Sequence, residues 1–247
     1  MVGLAVDLGF LSGVLSLEGG DQMDAAAFAH RADLAGTDLF VLPLGGEDRP
    51  GFTVAEAARV MATVRKKVSI ALRGTRLVDE ALSLRPAEVL FLSESGGPVG
   101  LDLRDAGRGP LAEATAKVRA AGAVPVVSVA PDEKSVLAAQ DAGALVVEIA
   151  ANGLARDATE DQSVDGHRRV AATARAAADV GMRVRACGGA CGSSRASRLA
   201  EVPEVEQIRV GPGLLAGSFY EGVGAAVDAI RREIERGARR GERGEEE

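Results

Sequence analysis

Tryptophan is absent from this chain of 247 residues, tyrosine occurs once, and cysteine and histidine occur twice each. With so few aromatics, alanine, glycine and valine must do much of the packing. Cys187 and Cys191 stand four apart in a glycine-rich stretch, while His30 and His167 fall on predicted helices, so a zinc site lacks nearby ligands. No apolar run approaches the roughly 20 residues that span a bilayer. A basic stripe is also missing: 29 Lys and Arg stand against 36 Asp and Glu, a formal charge of −7, which speaks against a nucleic-acid binder. The charge-dense stretch from Arg231 to Glu247 mixes both signs and is expected to be a frayed, solvated helix end. Without a signal-like N-terminus the expected location is cytoplasmic, with no membrane partner.

What is present is a strict alternation. β-type runs at Val2–Leu8, Asp38–Leu44, Val68–Arg73, Glu88–Ser93, Val124–Ala130, Ala144–Ala150, Arg183–Cys187 and Gln207–Gly211 alternate with amphipathic stretches. Those stretches are Asp24–Ala35, Val54–Arg65, Arg76–Leu84, Leu111–Ala121, Glu133–Ala142, Val164–Val180, Ser194–Glu201 and Phe219–Arg236. Such a pattern calls for a parallel sheet with helical crossovers. The predicted fold class is α/β, a single-domain (β/α)8 TIM barrel over 1–240 with a charged tail at 241–247; an open doubly wound sheet is the alternative. Gly36, Gly122, Gly143 and Gly181 stand where helices would end and are expected to act as left-handed C-caps. The long connections Gly9–Asp21, Glu94–Gly109 and Ala151–Ser163 all follow strands, so they gather at the carboxyl face, and Glu94–Gly109 suits a lid.

Strand side chains alternate faces, and the outer face of a barrel must be apolar to meet the helices. This turns Asp7, Ser69, Ala71, Arg73, Glu148, Arg185, Cys187 and Arg209 inward. Buried charge is costly without partners. Glu148 and Arg185, on adjacent strands, are expected either to form a buried pair that only shapes the core or to complete a basic cluster around an anionic ligand.

Two glycine-rich loops follow the last strands, Gly188-Gly189-Ala190-Cys191-Gly192 and Gly211-Pro212-Gly213, with Leu214–Gly217 as a short helix. Loops in these positions bind phosphate in many barrels, through backbone N–H groups and a helix N-terminus. Gly188, Gly189, Gly211 and Gly213, with Arg73, Arg185 and Arg209, are therefore the candidate phosphate-binding residues. Glu148 and Asp7 are the candidate acid–base groups. Cys187 is either a thiol activated by Arg185 and the loop amides or a buried inert one. No cofactor and no metal are expected; the expected ligand is a small phosphorylated metabolite.

Glu47-Asp48-Arg49 with Thr53, Gly100-Leu101-Asp102, Val147-Glu148-Ile149 and Gly211 to Leu215, in that order, resemble the pyridoxine 5'-phosphate synthase family over about Leu4 to Ile234. The resemblance implies a barrel that condenses 1-deoxyxylulose 5-phosphate with 3-amino-2-oxopropyl phosphate to pyridoxine 5'-phosphate in vitamin B6 synthesis. It also implies a homo-oligomer, dimer or octamer. Glu148 falls on the family's strand-six glutamate, and Gly189 and Gly211 on its phosphate-loop glycines. Elsewhere the chain departs. Pro43-Leu44, Gly188 and Pro212 stand where the family pattern has histidines, Ala71 where it has a glutamate, and Glu18 where it has an arginine. Asp7-Leu8-Gly9-Phe10 replaces an Asn-x-Asp-His pattern. Alanine, glycine, leucine and proline carry no protons, which sets a divergent enzyme against a catalytically silent paralogue that binds a phosphorylated ligand or partners an active homologue.

Overall fold

The computed structural model describes residues 1–15, 24–45, 50–94, 109–151, 160–188 and 193–244. The elements run β1 (Gly3–Asp7), α1 (Gly9–Leu15), α2 (Ala25–Leu34), β2 (Leu39–Pro43), α3 (Val54–Thr63), β3 (Lys67–Arg73), α4 (Val78–Ser83), β4 (Glu88–Leu92), α5 (Pro110–Ala120), β5 (Val124–Val129), α6 (Glu133–Asp141), β6 (Val146–Ala150), α7 (Glu160–Asp179), β7 (Arg183–Cys187), α8 (Ser193–Leu199), β8 (Val205–Val210), α9 (Pro212–Glu221) and α10 (Val223–Gly244). Each strand pairs in parallel with the next, and β8 returns to β1 through Leu4↔Ile208 and its neighbours, so the sheet closes. The chain is a single-domain (β/α)8 barrel, and the open-sheet alternative falls with that closing pair.

Period-two alternation sorts the side chains into two apolar bodies. Leu4, Val6, Phe40, Leu42, Ile70, Phe91 and Ile149 face outward against the helices. Ala5, Leu39, Val41, Ala71, Leu90, Val126 and Val146 fill the lower and middle barrel interior. Charged side chains are thereby confined to the remaining inward positions.

Gly36, Gly122, Gly143 and Gly181 have φ of 96°, 79°, 82° and 76°, the left-handed conformation expected of C-caps. Two helical expectations change. The stretch from Gly9 begins as α1 rather than as loop, opened by the Asp7 carboxylate, whose Oδ1 accepts the Gly9 N–H at 2.8 Å. The short helix expected at Leu214–Gly217 runs on to Glu221 as α9, so the helix expected over Phe219–Arg236 starts only after Gly222, whose φ of 81° ends α9, and continues as α10.

The C-terminal helix is a packed element rather than a frayed one. Cβ atoms added at Gly237 and Gly241 would fall 1.9 Å from the Ser197 carbonyl oxygen and 2.4 Å from that of Glu201, so α10 lies directly on α8. Arg231 donates from Nη2 to Asp38 Oδ2 at 2.7 Å, and that oxygen also accepts the Leu4 N–H at 2.9 Å, tying α10 to the start of the barrel. Helix α10 runs to Gly244, beyond the boundary expected at 240; residues 245–247 lie outside the described residues. Among the described residues no helix is long and apolar enough to cross a membrane.

Candidate active site at the carboxyl end of the barrel

Three inward charges meet where β1, β6 and β8 approach the carboxyl face. Arg209 grips both oxygens of Glu148, with Nη2 to Oε1 at 2.7 Å and Nε to Oε2 at 3.0 Å, the two-pronged geometry that a planar guanidinium favours. Its third arm, Nη1, donates to Asp7 Oδ2. Glu148 is wholly buried, whereas the Asp7 side chain keeps 21% of its surface exposed. Asp7 is therefore the carboxylate that a ligand in the mouth can reach, and Glu148 is the one that fixes Arg209. Burial by itself would lower the affinity of Arg209 for its proton. Negative charge on Cys187, Glu148 and Asp7, with the Glu148 hydrogen bond, outweighs burial and holds the guanidinium well above its ordinary value.

A Glu148–Arg185 pair, one of the two expected arrangements, is not made, although the two are register partners on β6 and β7. Arg185 instead donates from Nη2 to Glu88 Oε2 at 2.8 Å across the barrel. Side-chain reach explains this: Glu88 opens β4 at the amino end, and a buried arginine extends toward it while Arg209 saturates Glu148. Among the described residues Nε and Nη1 of Arg185 have no hydrogen-bond partner, nor has the buried hydroxyl of Ser69. The sequence reading passed over Glu88, yet alternation from inward Leu90 places it inside by the same rule.

The other expected site residues distribute as follows. Arg73 ends β3 at the carboxyl face and is exposed. Cys187 ends β7, buried at 8% exposure and in register with Arg209. Gly188 follows it, also buried. Gly211 caps α9, Gly213 lies in that helix's first turn, and a Cβ on Gly211 would sit 3.6 Å from the Cβ of Asp7. The N-terminus of α9 therefore opens beside the Asp7–Arg209–Glu148 cluster, in the position where backbone amides and the helix dipole favour an anion. Gly189 and Cys191, together with Glu18, Glu47-Asp48-Arg49, Gly100-Leu101-Asp102 and most of the expected lid, lie outside the described residues.

Both histidines of the chain are remote from this mouth, His30 on α2 and His167 on α7, in the outer helical layer. Pro43 ends β2, Ala71 is buried in the barrel interior, and Pro212 is the first residue of α9. Nothing at these three positions can carry a proton.

The chain matches the family described as "Pyridoxal phosphate biosynthesis protein PdxJ" over residues 14–236. It belongs to the PdxJ family. The pyridoxine 5'-phosphate synthase of Desulfatibacillum aliphaticivorans is 28% identical to it over 92% of this chain and 96% of that one. That of Prochlorococcus marinus (strain MIT 9313) is also 28% identical, over 95% and 96%. Among solved structures, thiamine phosphate pyrophosphorylase from Pyrococcus furiosus superimposes with a TM-score of 0.61 over 96% of each chain at 15% identity, a likeness of fold. PdxJ-family membership thus rests on similarity over most of the chain rather than on any single mouth residue.

Proposed function

We propose that this PdxJ-family barrel binds a small phosphorylated metabolite at its carboxyl end, and that the histidine-driven ring closure of the pyridoxine 5'-phosphate synthases is not its reaction. The observation that carries the reading is the N-terminus of α9 opening beside a guanidinium already committed to two carboxylates. Phosphate falls to the α9 amides, the Gly188 and Gly211 turns and the exposed Arg73, while Asp7 meets the organic part of the ligand. Arg209 serves as a positioning residue, since its three donor nitrogens that face the mouth are taken by Glu148 and Asp7. Arg185 lies deeper, bonded to Glu88, and supports the cluster from below.

Ring closure needs several proton transfers, and general acid–base catalysis wants a group free to exchange its proton. Glu148 is buried and gripped by a bidentate arginine, and no histidine lies within the mouth. Asp7 is left as the accessible proton acceptor, with Cys187 as the neighbouring thiol.

The test has two arms on the same purified protein. Calorimetric titration with 1-deoxyxylulose 5-phosphate and with inorganic phosphate is expected to show saturable binding. Incubation with 1-deoxyxylulose 5-phosphate and 3-amino-2-oxopropyl phosphate together, followed by mass spectrometry, is expected to yield no pyridoxine 5'-phosphate. Product formation that an Asp7→Asn variant abolishes would replace this reading with that of a synthase working through carboxylates. Absence of binding in either titration would remove the mouth assignment.

A further inference from the structure

Helix α8, with 7 residues, lies between α7 with 20 and α10 with 22, and the shortfall leaves a trough on the outer wall of the barrel. This trough, of about 610 Å³, is lined by Val164, His167 and Arg168 of α7, Ser197 and Arg198 of α8 with Glu201 just beyond it, and Glu233 and Arg240 of α10. Its charges do not cancel. Glu201 is taken by Arg240, at 2.7 Å from Nε, and Glu233 by Arg236, at 2.8 Å from Nη1. Two guanidiniums are held more loosely. Arg198 donates to the neutral Ser163 hydroxyl, and Arg168 pairs with Asp165 at 3.9 Å with both side chains more than 70% exposed. His167 lines the same trough, with its Nδ1 turned away from solvent and without a hydrogen-bond partner among the described residues.

Two exposed guanidiniums on one wall, with Asp165 no closer than 3.9 Å to Arg168 and a hydroxyl as the partner of Arg198, leave a positive field in the trough. A small oxyanion would answer that field, because it accepts from two guanidinium forks together. We propose that the α7–α8–α10 trough is a second ligand site, taking the phosphate or carboxylate group of a small metabolite on the outer wall, separate from the barrel mouth. Arg168 and Arg198 clamp the anion, His167 on the same wall senses its arrival, and the Arg240–Glu201 pair forms the floor. Anion binding here couples α7 to α10, the helix that Arg231 ties to the first strands of the barrel.

The two histidines make the experiment unambiguous, because His30 on α2 serves as an internal reference. The ring resonances of isotope-labelled protein are followed while inorganic phosphate, or in a parallel series malonate, is added at constant pH and ionic strength. The His167 resonance is expected to move along a saturating curve in at least one series while His30 stays fixed. In an Arg168→Gln/Arg198→Gln variant that melts like the parent, the half-saturating concentration is expected to rise at least tenfold. Saturation by phosphate alone, or by malonate alone, names the group that binds. A fixed His167, a non-saturating drift shared with His30, or a midpoint unchanged in the variant would overturn the site. Mouth binding is read separately by calorimetry with phosphate on the Arg168→Gln/Arg198→Gln variant, in which the trough is disabled, so the two assignments stand or fall independently.

Discussion

Replacing Arg209 with methionine tests the cluster most severely. Methionine keeps much of the side-chain length but removes all three hydrogen bonds that arginine makes to Glu148 and Asp7. Glu148 would then hold an unpaired charge at zero exposure. Breaking a buried pair by removing one partner costs about 3–5 kcal/mol. For a chain of this size each kcal/mol lowers Tm by about 2–4 °C, so the expected fall is roughly 6–20 °C by calorimetry or circular dichroism. Arg209→Met combined with Glu148→Gln should recover part of that loss, because most of the penalty belongs to the stranded carboxylate. The pH dependence follows from the raised affinity of Arg209 for its proton. A group bound more tightly to its proton in the folded state stabilises fully below its unfolded value and loses that contribution only as pH passes its folded value. The Tm difference between parent and Arg209→Met should therefore stay constant from neutral to moderately alkaline pH. A Tm loss of a degree or less, or a difference that shrinks between pH 7 and 9, would refute the reasoning.

The second buried pair makes a parallel case: Arg185→Met strands Glu88 and is expected to cost a similar ~3–5 kcal/mol, while phosphate affinity at the mouth changes little. Gly237→Ala forces a Cβ into the Ser197 carbonyl and should lower stability by about 1–3 kcal/mol in denaturant titration. Gly224→Ala, in the same helix with nothing within 4 Å, should instead raise stability by about 0.5–1 kcal/mol. Arg73→Ala removes an exposed cation at the mouth, so calorimetry should show several-fold weaker phosphate binding with Tm nearly unchanged.

The barrel is legible in the sequence because alternation is a local property: an outer face that must be apolar sorts Val184 and Ala186 from Arg185 and Cys187 before any pairing is known. Glycines after helices are equally local, and Gly36 through Gly181 adopt the expected conformation. Which inward charges meet is not local. Register alone sets Glu148 opposite Arg185, but barrel curvature brings Arg209 from β8 onto Glu148 of β6 and sends Arg185 to Glu88. The division between α9 and α10 had a signal in Gly222, obscured because the flanking apolar pattern continues. The fit of α10 on α8 had one in Gly237 and Gly241, which resemble flexible tail residues until a neighbouring backbone is placed against them. Family membership follows from similarity over most of the chain, whereas the choice of ligand falls to a few side chains at the mouth.

A crystal of the protein grown or soaked with inorganic phosphate puts the mouth assignment to its most direct trial. The expected result is a tetrahedral anion at the N-terminus of α9, within hydrogen-bond reach of the Gly211–Gly213 turn and on the same side as Arg73, above an undisturbed Asp7–Arg209–Glu148 cluster. A fully occupied crystal soak in which that position holds only solvent would contradict the account.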